Sequence, residues 1–286
     1  MKAVRDFFDL IKFEHTIFAL PFAYLGMLLA ASGLPTFYQF FWITVAMAAA
    51  RTVAMGFNRI ADRWYDAHNP RTANRPLVTG AISLRTAWGG TLVASAILIF
   101  AAWQLGPLPF LLLPGAFIFL FGYSFAKRYS WMSHFILGFT DGLAPMGAWA
   151  AIRGSLFTVE DLPAWILLAI VTLWIGGFDM IYACQDIEYD LEDGLKSIPA
   201  SFGPSVALTL SSICHLATIL LLAVLGLMLG LGWPFWIGLV VVIALLVWEH
   251  SLVRPDDFSR INLAFFNINS YISITLFLSI LGALYL

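Results

Sequence analysis

Runs of eighteen or more mostly apolar residues recur along this 286-residue chain, each long enough to cross a hydrocarbon core of about 30 Å. That single pattern restricts the chain to an all-α, polytopic membrane protein. Nine spans are expected, at about 15–32, 37–57, 84–105, 108–126, 132–152, 164–184, 204–231, 235–248 and 261–286. Several are separated by breakers such as Gly33-Leu34-Pro35, Gly106-Pro107 and Gly232-Trp233-Pro234. With 61% hydrophobic and 16% aromatic residues, a soluble globule would expose too much apolar surface. One membrane domain, 1–286, accounts for the whole chain. Residues 1–13 interleave Lys2, Arg5, Asp6, Asp9 and Lys12 with apolar residues, which predicts an amphipathic helix lying on the membrane surface and no cleavable signal.

The basic residues orient the bundle. Of the 15 Lys and Arg, 13 fall in the N-terminal arm and in alternate loops, the side expected to be cytoplasmic. Arg153 lies on the opposite side, and Arg51 lies inside the second span. Net charge is only −2, so nothing points to a nucleic-acid partner, and nothing in the chain calls for an obligate protein partner. Cys184 and Cys214 have no CxxC spacing and read as buried free thiols.

Polar chemistry concentrates in two cytoplasmic segments, 58–83 and 185–203. The first opens with Asn58, Asp62 and Asp66, four apart and so on one face if helical. The second repeats the spacing with Asp186 and Asp190, 124 residues after Asp62 and Asp66. Four spans separate them, which predicts a parallel pseudo-repeat of two four-helix units beneath a cytoplasmic cap. Facing carboxylate pairs suit a hard divalent cation, and Mg²⁺ is commonly completed by substrate phosphates. Arg71, Arg75, Lys127 and Lys196 follow the acidic motifs or end a span, with Tyr123 one turn before Lys127. Arginine and lysine are the residues for phosphate oxygens. Loop arginines usually set topology, and a lone DxxxD is usually a solvated face. Two such motifs at corresponding positions point to a magnesium–diphosphate site, and the membrane address points to a lipid diphosphate. Arg51 costs about 2.5–3.5 kcal/mol to insert; it either snorkels or holds an anionic acceptor.

These residues resemble the UbiA-type intramembrane prenyltransferases, a likeness covering essentially the whole chain. The family's NDxxDxxxD and DxxxD motifs read here as Asn58-Arg59-Ile60-Ala61-Asp62-Arg63-Trp64-Tyr65-Asp66 and Asp186-Ile187-Glu188-Tyr189-Asp190. Arg71 to Gly80, the pair Tyr123/Lys127, and the DxxYxxxDxxxD run from Asp179 to Asp190 match as well. Arg59 stands where the family commonly has Asp.

The resemblance implies a prenyltransferase of quinone biosynthesis in the cell's inner membrane, its site facing the cytoplasm. Mg²⁺ would be held by Asp62, Asp66, Asp186 and Asp190, with Asn58 an added oxygen donor. A polyprenyl diphosphate would lose its diphosphate to Arg71, Arg75 and Lys127, and Lys196 would add to substrate binding. Tyr123 and Tyr182 would shield the allylic cation, and Arg51 would pair with the carboxylate of the acceptor, 4-hydroxybenzoate or a dihydroxynaphthoate. Haem, chlorophyll or glycerophospholipid prenylation is the near alternative. A transporter is the alternative from another class, with Asp141 as the discriminating residue: paired within the bundle, it carries no ion.

Overall fold

The computed structural model describes Leu10 and residues 16–286; the helix expected over 1–13 otherwise lies outside them. In chain order the helices are α1 (Thr16–Ala31), α2 (Phe37–Ala61), α3 (Arg63–His68), α4 (Leu84–Leu105), α5 (Pro107–Tyr129), α6 (Ser133–Arg153) and α7 (Leu162–Ala183). They continue with α8 (Ile187–Glu192), α9 (Ile198–Phe202), α10 (Pro204–Met228), α11 (Trp233–Ser251) and α12 (Asn269–Ala283). A π turn, Leu263–Ile268, leads into α12. Among the described residues the only β pairing is an isolated bridge between Arg254 and Asp257. That suits lipid, where a spanning backbone has to satisfy its own hydrogen bonds.

Eight helical segments have the length and apolarity to cross a membrane, and α1 adds a shorter apolar stretch, Leu20–Ala31. The described residues thus carry eight of the nine expected spans outright. Local chemistry sets the starts. Thr36 and Gln39 form a capping box at α2, and Ser83 Oγ accepts from Thr86 N at α4, each satisfying an orphan donor of the first turn. Gly106, at φ 118°, turns the chain between α4 and α5 in a region open chiefly to glycine.

Two boundaries differ from expectation. α2 continues through Ala61, so Asn58 and Arg59 occupy its last turn rather than a loop. α11 runs to Ser251, which carries Glu249 inside the bundle, fully buried. In both places a polar residue ends an apolar run without ending the helix, because the backbone is indifferent to side-chain polarity where a partner helix supplies hydrogen bonds.

The core lies between α6, α7, α10, α11 and α12, around Trp149, Trp174, Leu225, Phe235 and Ile272. Small residues let the helices close in, the usual device inside a membrane. A Cβ on Gly26 would sit 2.1 Å from the Pro145 carbonyl oxygen, and one on Gly138 would sit 2.3 Å from that of Thr172. α6 thus meets α7 through its own Gly138 and Gly142, and meets α1 through Gly26 of that helix. Outward, Leu92, Leu111, Ile118, Val240 and Val247 are exposed, as a lipid-facing surface requires. Cys184 and Cys214 are free and buried.

Candidate active site

The two acidic motifs are built alike. α2 ends at Asp62 (φ −92°, ψ 6°), and the short α3 starts beyond it. α7 runs through a 3₁₀ turn to Asp186 (φ −106°, ψ 9°), after which the short α8 starts. The expected single face of Asn58, Asp62 and Asp66 is thus broken at Asp62, although Asp62 N still bonds Asn58 O and Asp66 N bonds Asp62 O, both at 2.8 Å. Tyr189 Oη donates to Tyr65 O at 2.6 Å, which ties α8 to α3.

Each of the four aspartates faces a cation. Asp62 pairs with Arg128 at 3.0 Å, Asp66 with Arg75 at 2.5 Å, Asp186 with Arg71 at 2.7 Å and Asp190 with Lys127 at 2.7 Å. The Arg71 contact is two-pronged, Nε to Oδ1 at 3.1 Å and Nη2 to Oδ2 at 2.7 Å. Asn69 Nδ2 also donates to Asp186 Oδ1. Burial disfavours the charge on Arg71, but its bond to Asp186 overrides this and raises its pKa. Burial lifts the Asp62 carboxyl above the ordinary aspartate range, against the bond from Arg128. Asn58 Nδ2 donates to Asp62 Oδ2 at 2.7 Å.

Under this cap lies a cavity of about 790 Å³. Arg71, Arg75 and Asn74 line it at the cap, Arg59 at the end of α2, and Arg51 and Asp141 deeper in. Arg51 is eight residues before Arg59, about 12 Å along the helix, and it attracts Asp141 of α6 electrostatically. Tyr182, Phe178, Phe265 and Phe266 form an aromatic wall; Tyr182 stacks on Phe265 with centroids 3.9 Å apart and accepts from Arg71 Nη1 at 3.2 Å. A second, apolar cavity of about 380 Å³ lies between α2, α4, α5 and α6, and it shares Met47, Arg51, Met55, Leu137, Asp141 and Ala144 with the first.

Of the residues singled out in the sequence, Arg51, Arg71, Arg75 and Tyr182 line the main cavity. Asn58, Asp62, Asp66, Asp186, Asp190 and Lys127 are gathered in the cap above it. Two lie elsewhere. Tyr123 donates to Ala54 O at 3.0 Å and lines the smaller cavity, while Lys196 Nζ donates to Tyr129 O at 3.3 Å. Arg59, which the motif comparison treats as a missing acid, instead lines the main cavity, its Nε donating to Leu10 O at 3.3 Å. Sequence reading passed over Arg128 as a cap residue, and also Asn69, Phe265 and Asn269. Arg128 adjoins Lys127 at the end of a span, a usable signal; the others carry none.

Among the described residues no three His, Cys, Asp or Glu side chains converge as a metal cluster, because each aspartate is turned to its cation. The donors are nonetheless all hard oxygens, the type that Mg²⁺ selects, and the two motifs lie side by side. The residues present therefore fit such an ion once the ion pairs exchange partners.

Residues 19–271 match the model of the UbiA prenyltransferase family. The 4-hydroxybenzoate octaprenyltransferase of Xanthomonas campestris is 34% identical over 261 residues, covering 90% of this chain and 83% of that protein. Its counterpart from Pseudomonas aeruginosa is 34% identical over 263 residues, covering 88% and 84%. The apo structure of a UbiA homolog from Aeropyrum pernix superposes with a TM-score of 0.86 at 35% identity, covering 94% of this chain and 98% of that one. A UbiA homolog from Archaeoglobus fulgidus bound to GPP and Mg²⁺ shares the fold at 22% identity, TM-score 0.71, covering 97% and 99%.

Proposed function

This chain belongs to the UbiA prenyltransferase family, a multi-pass membrane transferase of prenyl groups, and we propose that it moves a polyprenyl group from its diphosphate to 4-hydroxybenzoate. The observation that carries this reading is the cavity itself: two arginines at its mouth, an aromatic wall, and Arg51 opposite Asp141 at depth. A 1,4-dihydroxy-2-naphthoate fits the same chemistry, but the relatives named for 4-hydroxybenzoate favour the smaller ring. Mg²⁺ would be held by Asp62, Asp66, Asp186 and Asp190, with Asn58 as a further oxygen donor. When bound, it neutralises the diphosphate and eases its departure.

Arg71 and Arg75 line the cavity while paired to Asp186 and Asp66. On substrate entry Arg71 and Arg75 turn from carboxylate to phosphate oxygens, which would free Asp186 and Asp66 to hold the metal. Lys127 and the two arginines then carry the charge of the leaving group. Tyr182 and Phe265 flank the allylic cation by cation–π contact. Arg51 receives the carboxylate of the acid, and the electron-rich ring attacks the cation; the substituted ring carbon then loses its proton to the departed diphosphate or to water, which restores the aromatic ring. The smaller apolar cavity takes part of the isoprenoid tail, with Tyr123 in its wall. Lys196 adds positive charge at the rim. We further read nine spans as a parallel repeat of two four-helix units, in an inner membrane with the cap in the cytoplasm.

The test is Arg51→Met. The KM for the aromatic acid rises about 10- to 100-fold, as for a lost charge-assisted hydrogen bond, and the KM for the diphosphate stays put. If both rise equally, or neither does, Arg51 does not hold the acid.

A further inference from the structure

Three residues of the cavity wall each bury one polar atom that has no hydrogen-bond partner among the described residues: Arg51 Nε, Trp174 Nε1 and Asn269 Oδ1. Two are donors and one is an acceptor, so the cavity suits a ligand that is an anion at one point and a hydrogen-bond donor at another. Asn269 is the informative member. It is only 7% exposed, and its amide nitrogen is surrounded by acceptors: Glu249 Oε1 at 3.0 Å, Phe265 O at 3.0 Å and Ala264 O at 3.2 Å. Three acceptors around one end fix which end is nitrogen. The oxygen therefore points the other way, a buried acceptor without a partner among the described residues, which is costly to leave unmet.

The rest of the wall explains how this amide is held. Residues 263–268 form a π turn, a deformation common at functional sites, and Asn269 Nδ2 bonds two of its carbonyls. The same turn presents Phe265, which stacks on Tyr182, whose hydroxyl in turn accepts from Arg71. Asn269 is thus linked by contact to the diphosphate end of the cavity. A phenol hydroxyl activates the ring carbon beside it, and that is the end of the acceptor that has to face the isoprenoid.

Resting on the function proposed above, we propose that Asn269 is the specificity-determining residue for the acceptor's hydroxyl: its Oδ1 accepts the phenolic O–H, and Glu249 fixes the amide for that role. Acceptors that cannot donate at this position are rejected, because they leave the buried oxygen unpaired.

The test compares kcat/KM for 4-hydroxybenzoate, 4-aminobenzoate and 4-methoxybenzoate at saturating polyprenyl diphosphate and Mg²⁺. The wild type favours the two donors over the methyl ether by about 100-fold or more. Asn269→Ala shrinks that preference about 10- to 100-fold, with the KM for the diphosphate unchanged. Should that variant misfold, Asn269→Ser in a Glu249→Gln background also replaces the buried carboxyl that faced the lost amide with a neutral side chain. There the serine hydroxyl can bond Phe265 O as Ser270 bonds Phe266 O, and Glu249→Gln alone keeps the preference. An undiminished preference in the Asn269 variants overturns the assignment while leaving the transferase reading intact. A wild type that prenylates all three alike overturns it without any variant. A wild type that prenylates no aromatic acid removes the proposed function and this assignment together.

Discussion

Replacing Lys127 by methionine separates what holds the cap together from what carries the reaction. Lys127 Nζ lies 2.7 Å from Asp190 Oδ1, and the Asp190 side chain is fully buried while that of Lys127 is 32% exposed. At that distance and an effective dielectric near 20, the attraction is about 6 kcal/mol, most of it offset by desolvation of the two ions. Removing one partner strands the other charge, which costs about 3–5 kcal/mol for a fully buried pair. The exposure of Lys127 lowers this to about 2–3 kcal/mol, and the bond from Ser197 Oγ to Asp190 Oδ2 at 2.7 Å keeps it from going higher. For a chain of this size that is a fall in Tm of about 5–10 °C, measured by scanning fluorimetry in detergent. Adding Asp190→Asn removes the stranded charge and keeps the serine bond, so the double variant recovers most of the loss. It should nonetheless transfer no prenyl group, having lost one diphosphate cation and one metal ligand. A single variant as stable as wild type, or a double variant no better than the single, would refute the reasoning.

Other expectations follow from the same geometry. Asp62→Ala and Asp186→Ala should each cut prenyl transfer more than about 100-fold while the protein stays folded, since each removes a ligand from the charge that meets the diphosphate; full activity in either variant would exclude that role. Burial holds the Asp62 pKa above its ordinary value, so Mn²⁺ affinity in titration calorimetry should begin to fall, as pH drops, above the usual aspartate range of about 3.9. The same sign means that this group's contribution to stability is full below its unfolded pKa and is lost as pH rises through the folded one. Gly138→Ala places a Cβ 2.3 Å from the Thr172 carbonyl and should cost about 1–3 kcal/mol. Gly147→Ala, on the same helix with nothing within 4 Å, should be neutral or slightly stabilising.

The fold was largely written in hydropathy. Spans such as 84–105 and 204–231 fall within a few residues of α4 and α10, because lipid leaves a long apolar run no other structure. The acidic motifs were legible too, since a 124-residue spacing survives in the paired junctions at Asp62 and Asp186. What escaped was polarity buried by tertiary contact. Glu249 ends an apolar run and reads as a loop residue, yet it is fully buried against Asn269, twenty residues later. Arg59 reads as a lost acid until the helix continues to Ala61 and turns it into the cavity. Arg51 and Asp141 were both visible as charges inside spans, but their meeting in one cavity depends on how α2 and α6 pack.

The most direct measurement incubates the purified protein in nanodiscs with radiolabelled octaprenyl diphosphate, 4-hydroxybenzoate and Mg²⁺, and separates the products. The expected result is a prenylated acid that disappears with EDTA and returns when Mg²⁺ is restored. Intact diphosphate and no prenylated acid, from protein whose thermal unfolding shows it folded, would contradict the proposed reaction.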